Sequence, residues 1–550
     1  MSNNGNNHTN KENNKELDYY IWIEKALDDL KQKNIKRHVV HGGWTPSGFF
    51  HIGNARAELM IPTFISKSLK DEGFEVKHNL IIDDFDDFDK IPKGIKVNEA
   101  EFEKHFGKCL RDVPSPVEGY ANWADYFSKQ VLSALDEFGV KPNILSSYDC
   151  YKQGLYDEAI KIVLNKAEEV RKIWNEVTSG DKPKGWYPIM VVCEKCGKIS
   201  TTKVREWNGQ EVEYLCTNHR NYAEGCRHKA WVRPEKGRAK LPWRLHWPAT
   251  WFIHGVTFET AGKDHFAAGG SVESGRRFLK EIFGKEPPYQ IPTEFLLVDD
   301  AKLSGSSGNV ISLRDWLDFA EPELLRFMMA SYKPQTVINF DLHSNKFFLL
   351  ADRYDEAERI YFDKKEEKSK RERQLAEIYK YAQIREIPEK MPVQLNYNIA
   401  TVIVQTFPEK PLGEIASIIH EKGWIARKTL TSQDKQRMEK RLQLAKNWLE
   451  RYAPEDVKFV VQDKIPRGLQ LSDRQREALH IVASRLNEKE WDQKELFNEF
   501  YIICQHLGLN NTDFFRAAYN VLLDKDRGPK LAPFILTLGK ERVAALFGKA

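Results

Sequence analysis

Residues 37–90 constrain the fold more than any other stretch. His38–Trp44 (HVVHGGW) is a short apolar run that ends in a glycine pair. Residues 54–73 place Ala57, Met60, Phe64, Ile65 and Leu69 at helical spacing, with Gly73 as a stop. VKHNLII at 76–82 then reads as a buried strand, with Asp83 and Asp84 directly after it. Strand, helix, strand in that order favours a parallel sheet with right-handed crossovers. From about 91 to 245 the pattern loosens into PKG, PSP, KPKGWYP and a cysteine cluster, which reads as an insertion. Near 250 the α/β rhythm resumes with VTFET, AGKDH, a helix around GRRFLKEIFG, and TEFLLV before a Gly/Ser-rich loop.

The fold expected is therefore an α/β Rossmann-like sheet split by an insertion, with ligands beyond the carboxyl ends of its strands. After about 345 the strand signals fade. Leu350, Tyr354, Ala357, Ile360 and Tyr361 keep helical spacing, as do Met438, Leu442, Ala445, Trp448, Leu449 and Tyr452, which predicts an all-α C-terminal domain. The expected organisation is a disordered polar tail at 1–16 and a catalytic domain at 17–345. An insertion at about 91–245 includes a metal knuckle at 187–232, and a helical domain covers 346–550. A chain of 550 residues is too long for a single core.

Composition narrows the rest. No run of about 18 apolar residues exists, so nothing is expected to span a membrane. The first sixteen residues are polar and Asn-rich and lack a signal peptide's apolar stretch, so a cytoplasmic location is expected. A net charge of +4 says little, because a chain that grips RNA needs only a local basic face. A monomer is the default expectation.

Three segments point to chemistry on a nucleotide. In TPSGFFHIGNAR (45–56) a strand ends, small residues turn the chain, and His51-Ile52-Gly53-Asn54 opens a helix. Gly48 and Gly53 allow close backbone approach, the helix start attracts phosphate, and His51 and Asn54 add donors. In AKLSGSSGN (301–309) a single Lys302 precedes a Ser/Gly loop that can close on a polyphosphate, with Ser304 and Ser306 as hydroxyl donors. In AGKDH (261–265) Gly262 permits close approach, Asp264 can accept from ribose hydroxyls, and His265 can face a substrate. Each segment alone could be an ordinary turn or linker. No GxxxxGK[ST] loop is present.

Together these segments resemble the class I aminoacyl-tRNA synthetases, with HIGN in place of the HIGH motif and KLSGS in place of KMSKS. Within that superfamily the chain is most similar to the class I lysyl-tRNA synthetases. It has TPSGFFHIGN, IDDFDDFDKIP, WPATW at 247–251, AGKDH and KLSGSSGN in the family's order over about 38–315. The resemblance implies that lysine reacts with ATP and Mg2+ to give lysyl-adenylate and pyrophosphate, and that lysine then passes to tRNA(Lys). His51, Asn54 and Lys302 are the implied catalytic residues. The implied ATP site comprises Pro46, Gly48, His51, Gly53, Asn54, Gly262, Asp264, Lys302, Ser304 and Ser306. By family position Gly43, Thr45, Trp247 and His265 should line the lysine pocket. A buried ammonium also needs charged acceptors, for which Asp83 and Asp84 are the candidates. Trp247 could equally be plain core. The helical half implies anticodon binding, where Trp424 could stack on a base, although core burial is the commoner role for such a residue.

The sequence departs from the family in three places. Ser307 stands where KMSGSKGN carries a second lysine, so slower activation is expected. Thr293 replaces an aromatic residue before Glu294-Phe295. VPSPVEGYANWADYF holds no Cys or His, so no metal is expected there. Seven cysteines, an odd number, argue against a disulfide framework. Cys193-x2-Cys196 with Cys216 and Cys226 resembles a zinc ribbon holding one structural Zn2+, with His219 or His228 as possible replacements for one thiolate. A glutamyl-type synthetase would need a cation in its pocket. A non-catalytic RNA-binding paralogue is supported only by Ser307. A dinucleotide-forming nucleotidyltransferase would not need some 200 further helical residues.

Overall fold

The structure is a computed structural model that describes residues 21–217, 222–305, 310–344, 346–421, 425, 427 and 429–550. The N-terminal tail, His219, Ser306, Ser307 and Trp424 lie outside the described residues. The chain enters through a helix, Trp22–Lys31, and then lays down β1 (Arg37–Trp44), β2 (Glu75–Ile82) and β3 (Asn143–Ser146). Five short strands follow: β4 (Met190–Val191), β5 (Thr202–Trp207), β6 (Val212–Cys216), β7 (Lys229–Val232) and β8 (Ala239–Lys240). Then come β9 (Phe258–Gly262), β10 (Tyr289–Thr293), β11 (Leu296–Val298), β12 (Ala301–Lys302) and β13 (Ile338–Phe340).

The main sheet has the order β10-β9-β1-β2-β3, and every neighbouring pair in it is parallel. From β1 the chain moves outward through β2 and β3, then returns to build β9 and β10 on the other side. The strand order therefore reverses between β1 and β9, the place where such sheets hold ligands. Both faces of the sheet are covered. Val39 packs into one apolar core and its neighbour Val40 into another, the period-two alternation of a strand buried on both sides. Gly42 is fixed by packing, because a Cβ there would fall 2.1 Å from the Glu58 carbonyl oxygen of the crossing helix.

Two sequence expectations change. The stretch 91–245 is not wholly an insertion, because β3 within it pairs with β2 as the sheet edge. Asn143 and Ile144 are exposed, Leu145 and Ser146 only partly buried, and so no apolar run announces it. TEFLLV is not one strand either: β10 stops at Thr293, and Leu296–Val298 joins a separate sheet of order β12-β11-β13. From Lys346 to Phe547 the described residues form ten helices and no strand. The apolar core under one face of the main sheet runs without a break into these helices as far as Ala453. A second helical core gathers residues between Phe459 and Phe547.

Candidate active site

β1 delivers the chain to Thr45, and Pro46 is buried in the turn that follows. His51 caps the helix that starts at Ile52. The Asn54 N–H donates to its Nδ1 (3.2 Å), and the His51 N–H donates to Asn54 Oδ1 (3.2 Å). This reciprocal pair fixes the imidazole tautomer: with Nδ1 accepting, the ring proton sits on Nε2, which is left as a donor. Burial, reinforced by the Lys302 ammonium, lowers the His51 pKa to about 4, so the ring is neutral at neutral pH. The helix passes through a π turn at Arg56–Met60, a feature common at functional sites. Arg56, which sequence reasoning missed, is buried there and donates to the carbonyls of Glu294 (3.1 Å), Thr336 (2.9 Å) and Lys333 (2.8 Å). It fastens the HIGN helix to the chain that leads to Lys302.

The Lys302 loop packs on the TPSG turn. A Cβ on Gly305 would fall 2.2 Å from the Phe49 carbonyl oxygen, and the Phe49 N–H donates to the Gly305 carbonyl (3.4 Å). Gly48 faces the same contact, Gly53 lies against the His51 ring, and Ser304 belongs to the same loop. The Lys302 ammonium sits 3.6 Å over the Phe295 ring and 4.0 Å from Asp264 Oδ2. His51, Asp264 and Lys302 thus meet at the carboxyl edge of the sheet, beside the switch between β1 and β9.

Next to them is a cavity of about 300 Å³. Gly43, Thr45, Asp83, Trp247 and His265 line it, and so do Gly262, Glu58, Asp86, His246 and Glu259. A Cβ on Gly262 would meet open space, so this glycine borders room for a ligand. Trp247 is both core and lining: it is buried, its Nε1–H donates to Glu259 (2.8 Å), and its ring lies edge-on to His265 at 5.4 Å. Thr293 is buried and donates to the Ala261 carbonyl (3.0 Å), without itself lining the cavity.

Asp84 is a correction, because it does not line the cavity. Its carboxylate accepts from Ser146 Oγ (2.7 Å), the Tyr148 N–H (2.8 Å) and Arg111 (3.2 Å), and so holds the start of the helix Ser147–Lys152. Asp86, two residues on, lines the cavity instead. Glu58 and Glu259 escaped notice because they lie inside elements that read as buried. That was itself the signal, since a carboxyl in such a position needs a purpose.

Burial raises Glu58 to about 8, opposed by the Gly43 N–H that donates to it, and raises Glu259 to about 8, opposed by the indoles of Trp251 and Trp247. A folded pKa above the unfolded value near 4.5 makes each acid stabilising at low pH. That contribution is lost as pH rises through about 8. Glu259→Gln keeps the shape without the titration. Its thermal midpoint relative to the parent should therefore improve from pH 6.5 to 8, by up to about 2 kcal/mol of unfolding free energy. A pH-independent difference between the two proteins would contradict this.

The cysteine knuckle joins the same half of the molecule. β5, β6 and β7 form an antiparallel sheet, and the four thiols of Cys193, Cys196, Cys216 and Cys226 lie within 4.8 Å of one another. The Cys193–Cys226 and Cys196–Cys216 sulfur separations are 3.6 and 3.7 Å. Four sulfurs at ~2.3 Å around one tetrahedral ion stand about 3.8 Å apart, so the cluster fits a zinc-sized ion. His228 is not part of the cluster. Among the described residues no helix is long and apolar enough to cross a membrane.

Comparison with known proteins agrees with this geometry. A family model described as tRNA synthetases class I (K) matches residues 20–385. A lysine–tRNA ligase of Pyrococcus horikoshii is 34% identical over 532 residues, covering 95% of this chain and 98% of the relative. One from Methanocaldococcus jannaschii is 35% identical over 539 residues, with 95% and 98% covered. One from Borreliella burgdorferi is 30% identical over 535 residues, with 96% and 98% covered. The chain belongs to the class I (K) tRNA synthetase family.

Proposed function

We propose that this chain is a lysine–tRNA ligase, which activates lysine with ATP and passes it to the 3′-terminal ribose of tRNA(Lys). The observation that carries the reading is the acid-lined cavity abutting the convergence of His51, Asp264 and Lys302. A pocket with Asp83 and Asp86 on its wall, where Asp83 Oδ2 is buried without a hydrogen-bond partner, suits a cationic side chain better than a carboxylate. The relatives that span nearly the whole chain are named for the same activity.

In this reading the lysine carboxylate attacks the α-phosphorus of ATP, and pyrophosphate leaves with the electron pair. The carboxylate is already ionised, so no strong base is required. Positioning and charge stabilisation then do the catalysis. Nε2–H of His51 and the Asn54 amide serve the α-phosphate. Lys302, with Ser304 and Ser306, serves the departing pyrophosphate that Mg2+ also binds. Pro46, Gly48, Gly53 and Gly262 let backbone lie close to the nucleotide, and Asp264 accepts from its ribose. Lysine lies along Gly43, Thr45, Trp247 and His265, with its ammonium at Asp83. The tRNA terminal hydroxyl then attacks the adenylate carbonyl and AMP leaves. The four cysteines hold one structural Zn2+, the helices from Lys346 onward bind the anticodon, and the chain acts as a cytoplasmic monomer.

Pyrophosphate exchange with each of the twenty amino acids in turn tests the proposal. Lysine alone should support exchange. Exchange driven by glutamate, or by none of the twenty, would overturn it.

A further inference from the structure

Behind the cavity wall, against Asp83 and Asp86, lies a cation of the protein's own. Lys240, on β8, is fully buried and ion-paired with Asp86, and its Nζ lies 3.6 Å from Asp83 Oδ1. Burial opposes its charge, but Asp83 and Asp86 outweigh that and raise its pKa, so the ammonium stays charged. The oxygens around it are unequally occupied. Asp86 accepts from Lys240 with one oxygen and from Thr45 Oγ1 (3.4 Å) with the other. Asp83 Oδ1 accepts from Ser147 Oγ (2.8 Å) and faces His246 Nε2 at 3.4 Å. Asp83 Oδ2 is buried and has no hydrogen-bond partner. His246 is held by the Tyr151 hydroxyl at its Nδ1 (3.0 Å), and burial followed by the Lys240 charge keeps it neutral.

We infer that Lys240 is a specificity-determining positioning residue: a resident counter-ion that leaves the acid pair with one net negative charge, on Asp83, matched to a single substrate ammonium. This rests on the lysine reading above. Two carboxylates this close cannot both stay ionised in a low-dielectric wall unaided, so one would take a proton. Lys240 supplies the compensating charge instead and occupies Asp86 while doing so. The other charged or titratable groups near the acid pair are Asp87, Asp84 with its partner Arg111, and His246 with Tyr151, Tyr156 and His254 behind it. Glu58, Glu259 and His265 complete the cavity wall.

The test measures KM for lysine in pyrophosphate exchange, with KM for ATP as control, between pH 6.5 and 8.5. In Lys240→Met the acid pair shares a proton that lysine must displace, so KM for lysine should rise about 10- to 100-fold at pH 6.5. It should fall back toward the parent value as pH rises, while KM for ATP holds. Asp86→Asn, an isosteric change, leaves Lys240 to cancel Asp83, so KM for lysine should rise at every pH. The double variant restores one negative charge and should bind lysine better than either single variant. Unchanged lysine KM in Asp86→Asn, or a double variant no better than the singles, would overturn the inference. Should Lys240→Met fail to fold, Asp86→Asn alone still decides. Lysine-dependent exchange by the parent protein is scored separately, so failure of the underlying reading is distinguishable.

Discussion

Lys302→Ala is expected to slow lysine-dependent pyrophosphate exchange by about 10²–10³-fold, with the protein's thermal midpoint unchanged. The ammonium is more than half exposed and its visible partners are the Phe295 ring and, at 4.0 Å, Asp264. Neither contact supports the core, and an exposed ion pair contributes little to stability. What the substitution removes is the cation placed at the nucleotide edge. One preorganised donor facing developing charge is worth ~2.7–4 kcal/mol of barrier. His51→Ala should cost a similar factor, since it removes Nε2–H and also opens the cap shared with Asn54. Because the His51 ring is neutral above about pH 4, its contribution should not titrate between pH 5.5 and 8. Wild-type exchange rates for Lys302→Ala would place the chemistry elsewhere, and a pH step near 6.5 that His51→Ala abolishes would show that the ring is not held neutral.

The parts of this site that could be read from sequence are those carried by contiguous residues. HIGN, AGKDH and the Lys302 loop each combine a strand end with small residues and a polar side chain, and the parallel sheet brings those strand ends to one edge. Asp83 was legible for the same reason, because it directly follows β2. Asp84 was misjudged: it stands in the turn that follows β2, and only coordinates show that its carboxylate goes to Ser146, Tyr148 and Arg111. Lys240 was illegible in principle. It lies 154 residues from Asp86, in a loosely patterned stretch, and nothing local distinguishes it from the solvated lysines around it. Edge strand β3 was lost because four half-exposed residues carry too little apolar pattern to register. The metal knuckle was the reverse case, since thiol spacing survives in sequence where packing does not.

That knuckle yields the other large effect. Purified protein should carry one zinc per chain, and Cys193→Ser or a strong chelator should remove it and lower the thermal midpoint of the catalytic half sharply. Structural zinc in isolated fingers is worth roughly 10–16 kcal/mol of apparent binding energy. Here part of that is offset, because Val191, Ile199, Val212, Tyr214 and Val232 pack into the apolar core shared with Trp247 and Trp251. The damage should nevertheless travel. The Ile199 N–H donates to the Gly107 carbonyl (2.6 Å), and the Tyr222 hydroxyl donates to Asp87, the neighbour of Asp86 on the cavity wall. Loosening the knuckle therefore loosens the acid wall, and KM for lysine should rise together with the loss of metal. Metal analysis, melting with and without chelator, and lysine titration on one preparation check the three together. A metal-free protein that melts as high as the untreated one would show that the four thiols are only packed side by side.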